Sequence, residues 1–442
     1  MRRWLALLLL CLPRPLPAAE VRLEPAPDQP GAAIKGAAPG DVLILSPGRY
    51  LGPVVLDRPL TLKGEPGAVI DGQGKGTVVT ITASDVTVTG LGIERSGSSN
   101  ENLDAGVKIV KGADRAQVTG NSLKDNLHGI DIHGGIDAHV AGNVIEGRQN
   151  PHMLDRGNGI YLWHSPGAVV ENNQVRWGRD GIFANSSSHD IFRGNLFRDL
   201  RFAVHYMYTS DSEISDNISI GNHLGFAIMY SNRVIGKGNM SLGDRGHGLM
   251  LNSANSGEFA GNLVRGGADK CTFLYDANKN LIYDNRFEGC AIGIHFTAGS
   301  TRNVLTGNAF IGNRNQVKYV GTRDIEWSFQ GRGNYWSDNA AFDLNGDGIA
   351  DSAYRPNDLM DHILWSQPAA ALLNGAPAVQ LIRWSQSNFP ATQPGGVVDS
   401  HPQMQPVVIA VPPAIQAMEA AVAGRWQGED SHDDDAEAFA TH

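Results

Sequence analysis

The chain has 442 residues, 53 of them Gly, with many Asn and few of the Glu and Lys residues that favour helices, which points to a mostly β protein. Its formal charge of -10 lacks the basic footprint that a phosphate backbone requires, so nucleic acid is excluded as an expected partner. The length suits several ordinary domains or one elongated repeat domain with a large core.

Met-Arg-Arg opens the chain, followed by an apolar run from Trp4 to Leu12 and a Pro- and Ala-rich segment ending at Ala18-Ala19. That order is the form of a secretory signal peptide, expected over residues 1–19. The run is too short to anchor in a bilayer, and no later segment has about 18 consecutive apolar residues, so an exported, soluble mature protein is expected. Beyond the leader, only Cys271 and Cys290 remain. They can form a disulfide, stay as buried small hydrophobes or ligate a metal.

P-G-D-V-L-I-L-S-P-G-R-Y, then L-T-L-K-G-E-P-G-A-V-I-D-G and V-T-V-T-G-L-G-I read as short strands separated by turns. From Asn121 onward an Asn, usually preceded by Gly, recurs at Asn143, Asn173, Asn195, Asn217, Asn239, Asn262, Asn285 and Asn308, mostly at intervals of 22 or 23 residues. Such a period is too short for helical-pair repeats and fits one coil of a parallel β-solenoid. In that geometry equivalent Asn amides stack about 4.8 Å apart and hydrogen-bond from coil to coil, while the preceding Gly permits a positive φ. This column is read as structural.

Nine or ten residues after most of these Asn comes an alternating run. Aligned on the Asn, the runs give two apolar columns, Ile130, Ile160, Ile182, Val204, Phe226, Leu249, Ile294 and Ile132, Leu162, Ala184, Tyr206, Ile228, Leu251, Phe296. These are the expected core. The register at Cys271–Tyr275 stays open by one residue. Alternation places Tyr208 on the core side with Val204 and Tyr206. The opposite positions are Asp131, His133, Tyr161, Trp163, Phe183, His205, Met207, Ala227, Met229, Met250, Asn252 and His295, where a solvated sheet face would carry Thr, Ser, Lys and Glu. Two readings stay open: a face docked against protein, including the chain's own C-terminal part, or a path for Cu(I), whose softness favours thioether and imidazole. Candidate copper ligands are His205, Met207, Met229 and Met250, with His133, His152, Met153 and His247 beside them.

His152 and Met153 belong to N-P-H-M, Asn150 to Met153, inside the one coil that is longer by eight residues. Uronan epimerases of this fold carry Asp-Pro-His-Glu there; Asn150 and Met153 replace both acids, so carbohydrate chemistry is the secondary reading and no intrinsic catalysis is expected. Farther on, D-L-N-G-D-G-I-A-D spaces oxygen ligands as the front of a calcium loop does, making Asp343, Asn345, Asp347 and Asp351 candidates for a structural calcium, although Tyr354 stands where a bidentate Glu belongs. The competing reading is an Asx-turn-rich loop. After Asp358 short amphipathic helices are expected, then Pro-rich linkage from Phe389 to Pro413, pieces that can cap the solenoid or reach a membrane partner, and an acidic, disordered tail.

The opening P-G-D-V-L-I-L-S-P-G-R-Y and R-P-L-T-L-K-G-E-P-G-A-V-I-D-G-Q-G, the Asn ladder, the closing G-N-Y-W-S-D and F-D-L-N-G-D-G-I-A-D-S-A-Y-R-P-N-D together resemble the periplasmic copper-binding family NosD, over about Ala32 to Asp358. The resemblance implies a right-handed parallel β-helix in the periplasm that serves maturation of nitrous oxide reductase. Implied partners are the permease and ATPase subunits of an ABC transporter, a copper-chaperone lipoprotein and the reductase, with membrane contact only through the permease. ATP hydrolysis would belong to a partner, since the chain has no phosphate loop. The expected layout is a leader at 1–19, β-helix at 20–340, an Asp/Asn-rich loop and end cap at 341–358, a C-terminal docking extension at 359–425 and a tail at 426–442.

Overall fold

A computed structural model describes residues 18–357 except 27–28, 268, 320 and 322, then 361, 363, 369, 376–388 and 396–423. The expected leader up to residue 17, the acidic tail and most of 358–375 and 389–395 lie outside the described residues.

Short strands joined by tight turns wind the chain into a right-handed parallel β-helix. Each coil visits three sheets in turn. The first has 13 strands, from Glu20–Leu23 to Val304–Thr306; the second has 13, from Gly48–Leu51 to Tyr335–Trp336; the third has 12, from Val54–Leu56 to Asn315–Tyr319. Strands of the first two are mostly three residues long, whereas those of the third reach six, as in Phe202–Met207.

The Asn column sits at the turn between the first and second sheets. Asn195 Nδ2 donates to Asn217 Oδ1 at 2.9 Å and Asn217 Nδ2 to Asn239 Oδ1 at 3.1 Å, while each Asn backbone N–H donates to the same oxygen of the next coil. The ladder is continuous from Asn121 to Asn308 and gains a further rung at Asn334, inside G-N-Y-W-S-D. Gly194 and Gly238, just before their rungs, hold φ of 64° and 66°, which a side chain resists. Each rung satisfies backbone groups that a buried turn would otherwise leave orphaned.

Both apolar columns are core. Val204 pairs with Ile182 and Phe226, Tyr206 with Ala184 and Ile228, and all are buried. At the open stretch, Thr272 follows Leu249 and Leu274 follows Leu251, which fixes the register. Tyr208 departs from the alternation: the strand ends at Met207, and Tyr208 turns outward in the left-handed region at φ 52°, 56 % exposed. Cys271 and Cys290, both buried, form a disulfide with Cα atoms 5.6 Å apart.

The two ends are sealed differently. Helix Gly31–Gly36 places Ile34 over the first coils. At the other end Trp336 stacks on Phe310 at 4.5 Å and on Tyr354 at 4.8 Å. Residues 396–403, within the stretch expected as Pro-rich linkage, are part of this seal. Strand Gly396–Val398 pairs with Asp324–Glu326, and the buried Asp399 carboxylate accepts from Trp336 Nε1 at 2.8 Å and Asn334 N at 2.7 Å. Composition hides this because the buried donors needing an acceptor lie about 65 residues upstream. Helix Pro413–Ala423 then packs Val422 against Ile220, Leu242 and Leu263 on the second sheet, with Arg265 and Glu419 paired. A second helix, Pro377–Asn388, covers the expected amphipathic run V-Q-L-I-R-W.

Candidate functional site

The third sheet's outer surface carries the unusual residues, and strand pairing sets their neighbours. One outward column runs Lys108, Asp131, Tyr161, Phe183, His205, Ala227, Met250, Phe273, His295 and Lys318. The next runs Val110, His133, Trp163, Asn185, Met207, Met229 and Asn252. Met207 and Met229 are therefore direct neighbours, and Met250 lies one coil beyond Ala227. These side chains pack with Phe202, Leu224 and Ala227 into an apolar cluster of their own, separate from the core. This face is not the wet one that alternation alone implies: Phe202 and Ala227 are inaccessible, and His205 and Met229 are only 6 % and 7 % exposed.

His205 is held from three directions. Phe183 stacks on its ring at 4.7 Å, Phe202 lies at the same distance, and Nδ1 is 3.2 Å from Asp180 Oδ2. Arg201 grips Asp180 with Nε and Nη2 at 2.8 and 2.6 Å. Burial alone would raise the Asp180 carboxyl, but Arg201 and His205 outweigh it and hold it well below the usual carboxylate range. An ionised Asp180 fixes the Nδ1–H tautomer. The opposite nitrogen, Nε2, is buried and has no hydrogen-bond partner among the described residues. An imidazole steadied by a carboxylate on one nitrogen, with the other nitrogen unpartnered among the described residues, is the arrangement metal-ligating histidines use.

Of the other copper candidates, His247 shares a strand with Met250 and meets Phe273 edge-on at 5.4 Å. Phe273 in turn stacks on His295 at 4.8 Å. Burial lowers both imidazoles to about 4, and Nδ1 of each lacks a partner among the described residues. His133 stacks on Trp163 at 4.3 Å, at the other end of the stripe. His152 and Met153 stand apart in a loop closed by the short 3-10 turn Met153–Asp155, with His152 exposed, and neither joins the Met cluster.

Two residues outside the expected set stand out at the stripe's start. His128 is 4 % exposed, its Nδ1 accepts from Asn158 N at 3.1 Å, and its Nε2 is unpartnered among the described residues. Burial first, then Arg179 and Lys108, push it to about 4. Asp131 is fully buried, and Lys108 Nζ lies 3.1 Å away but is poorly aligned for a hydrogen bond; burial raises the carboxyl to about 6. The alternation had marked Asp131 as outward, but nothing in the sequence signals its burial.

The calcium candidates do not converge. Asp343 accepts from the backbone N–H groups of Gly346, Asp347 and Gly348, Asp347 from Ile349 N, and Asp351 from Leu344 N. Asn345 Nδ2 donates to Asp347 Oδ2 at 3.0 Å, and Asn345 Oδ1 accepts from the Asp347 backbone N–H at 3.0 Å. Their oxygens thus serve the loop's own turns, which is the Asx-turn reading. Among the described residues no three His, Cys, Asp or Glu side chains converge as a ligand set, and no helix is long and apolar enough to cross a membrane.

The model of the family described as "Periplasmic copper-binding protein (NosD)" matches residues 141–341, the span that holds the whole Met cluster. A protein of Stutzerimonas stutzeri named "Probable ABC transporter binding protein NosD" is 38% identical over 82% of this chain and 86% of its own length. Its namesake in Pseudomonas aeruginosa is 40% identical over 82% and 87%. Among solved structures, PfbA, a surface adhesin of Streptococcus pneumoniae, superposes with a TM-score of 0.52 at 13% identity, over 65% of this chain and 86% of that one, a likeness of fold alone. With two relatives matched along more than four fifths of its length, this chain belongs to the NosD family of periplasmic copper-binding proteins.

Proposed function

We propose that the protein carries Cu(I) on the outer face of its third sheet while copper sites of nitrous oxide reductase are assembled. The observation that supports this most directly is His205, whose Nδ1 is fixed by Asp180 and whose buried Nε2 is left open on the strand that also carries Met207. Met229 and Met250 complete a set of one imidazole and three thioethers gathered by adjacent coils. Such soft, mostly neutral donors suit Cu(I) over the harder divalent ions. His247 and His133 would serve as flanking ligands on the same face, and His152 and Met153 would be a separate pair in their own loop.

The chain would act as a binding and docking subunit without catalysis of its own. ATP hydrolysis would come from the ATPase subunit of an ABC transporter, and the region 359–425 would dock the permease. A copper-chaperone lipoprotein and the reductase would be the proteins that exchange metal with this face.

The test is an anaerobic competition titration against a Cu(I) chelator. A variant combining His205→Ala, Met207→Leu, Met229→Leu and Met250→Leu keeps apolar volume at the Met positions and should bind fewer copper ions. An unchanged titration would sink the proposal.

A further inference from the structure

The turns that follow the second sheet's strands carry a column of glycines. Strand pairing aligns Ile220, Leu242, Arg265, Glu288 and Ile311, so the residues that come next, Gly221, Gly243, Gly266, Gly289 and Gly312, lie one above another. All five hold a positive φ, between 59° and 72°, which keeps this edge bare of side chains. Helix Pro413–Ala423 covers the start of the column: a side chain on Gly221 would meet Val422 at 2.6 Å, and one on Gly243 at 3.9 Å. Past the helix the column opens into a groove of about 520 Å³, floored by Gly267, Gly289 and Gly312.

Arg245 and Arg314 both line this groove. Arg245 belongs to the Gly243 coil and Arg314 to the Gly312 coil, three coil steps or about 14 Å apart. The Asp269 carboxylate, the one acid in the lining, is matched by Lys270 Nζ at 2.8 Å. Arg314 is exposed and has no carboxylate partner among the described residues. On a chain with a net charge of -10, the groove is a cationic strip without side chains along its floor.

We propose that this groove docks the chain's own acidic segment, Glu429–Glu437. That segment, E-D-S-H-D-D-D-A-E, holds six carboxylates and lies outside the described residues. It follows the helix whose last turn already rests on the glycine column. Residues 424–428 separate Ala423 from Glu429 and span up to about 20 Å, whereas the groove opens one coil step, about 5 Å, beyond Gly243. The helix runs from Arg265, at Glu419, toward Gly221, at Val422, so the chain must turn back to enter the groove; Gly424 and Gly428 permit that reversal. An acidic stretch of another protein would suit the same cations, but a tether this short holds the chain's own segment at an effective concentration on the order of millimolar. Docked there, it flanks the strand of His247 and Met250, and an acidic partner approaching that face has to displace it.

The experiment uses the purified full chain carrying Arg314→Lys, which keeps the charge and adds an amine to the groove. A carbodiimide couples that amine to any carboxylate held beside it, and mass spectrometry of the monomer maps the links. Lys279, exposed in the turn between the third and first sheets, is the control amine. Links from Glu429–Glu437 to the groove amine should exceed those to Lys279 at least about tenfold. Asp433→Asn, Asp434→Asn and Asp435→Asn together, which alter no residue of the solenoid, should cut the groove links about tenfold. Equal linkage at both amines, links found only in dimers, or links that the three Asn substitutions leave unchanged would overturn the proposal. The Cu(I) titration is separate, and its result does not depend on this one.

Discussion

His205 Nδ1 lies 3.2 Å from Asp180 Oδ2, and Asp180 in turn is clamped by two nitrogens of Arg201. A residue on one coil thereby sets the tautomer of an imidazole on the next. Asp180→Asn keeps an oxygen to accept from Nδ1–H but removes the charge; Asp180→Ala removes both and leaves Arg201 without its carboxylate. We expect Asp180→Ala to lose about 3–5 kcal/mol of stability in urea unfolding, with Asp180→Asn in between. If Asp180→Ala is as stable as the parent, the clamp contributes nothing to stability and the account of His205 fails.

The histidines of this face make the protein acid-sensitive. His128 falls to about 4 in the folded chain against about 6.5 unfolded, so the unfolded state binds its proton first as pH drops. Its stabilising share is complete above pH 6.5 and is lost between there and about 4. His128→Gln should flatten that part of the stability curve by close to one proton, as read from unfolding free energies across pH.

Asp131 works in the opposite sense. Its folded value of about 6 lies above the unfolded value of about 3.9, so its contribution is intact at low pH and lost as pH rises through 6. Asp131→Asn should therefore gain up to about 2 kcal/mol at pH 8 and change little near pH 4. A loss at pH 8 would mean that the Lys108 pair outweighs the burial of the charge.

A mid-ladder rung is expected to be costly. Asn217 Oδ1 receives both the backbone N–H and the side-chain amide of Asn195, and its own amide reaches Asn239 and Phe192 O. Asn217→Ala leaves buried donors and acceptors unpaired on both neighbouring coils, a loss of about 2–4 kcal/mol. Asn217→Asp should also destabilise, because the carboxylate keeps the acceptor role but loses the donor. Calorimetric melting of both variants measures this.

Asp399 closes the far end for residues that lie well before it in the chain. Asp399→Ala strips the acceptor from Trp336 Nε1 and Asn334 N, both buried. We expect a loss of about 2–3 kcal/mol and faster proteolysis around 396–403, with the middle coils still protected. Uniform protection throughout would show that the strap does not seal the helix.

Much of this molecule is written in its repeat. A period of 22 or 23, an Asn at each turn and two apolar columns fix the coil, its register except at Cys271–Tyr275, and which side chains face in, because every coil must match its neighbours to share their hydrogen bonds. That logic placed Val204 and Tyr206 correctly and put His205, Met207, Met229 and Met250 together on one face. It failed at Tyr208, where a strand ended one residue before the pattern did; of the two roles open to the C-terminal pieces, capping or reaching a partner, only the fold shows residues 396–399 in the cap, where a buried tryptophan needs an acceptor. Periodicity speaks only of neighbours at a fixed spacing. The burial of the His and Met face, the hold of Asp180 on His205, the burial of Asp131 beside Lys108 and the closure by Asp399 depend on how side chains pack in three dimensions, and only the folded chain decides them.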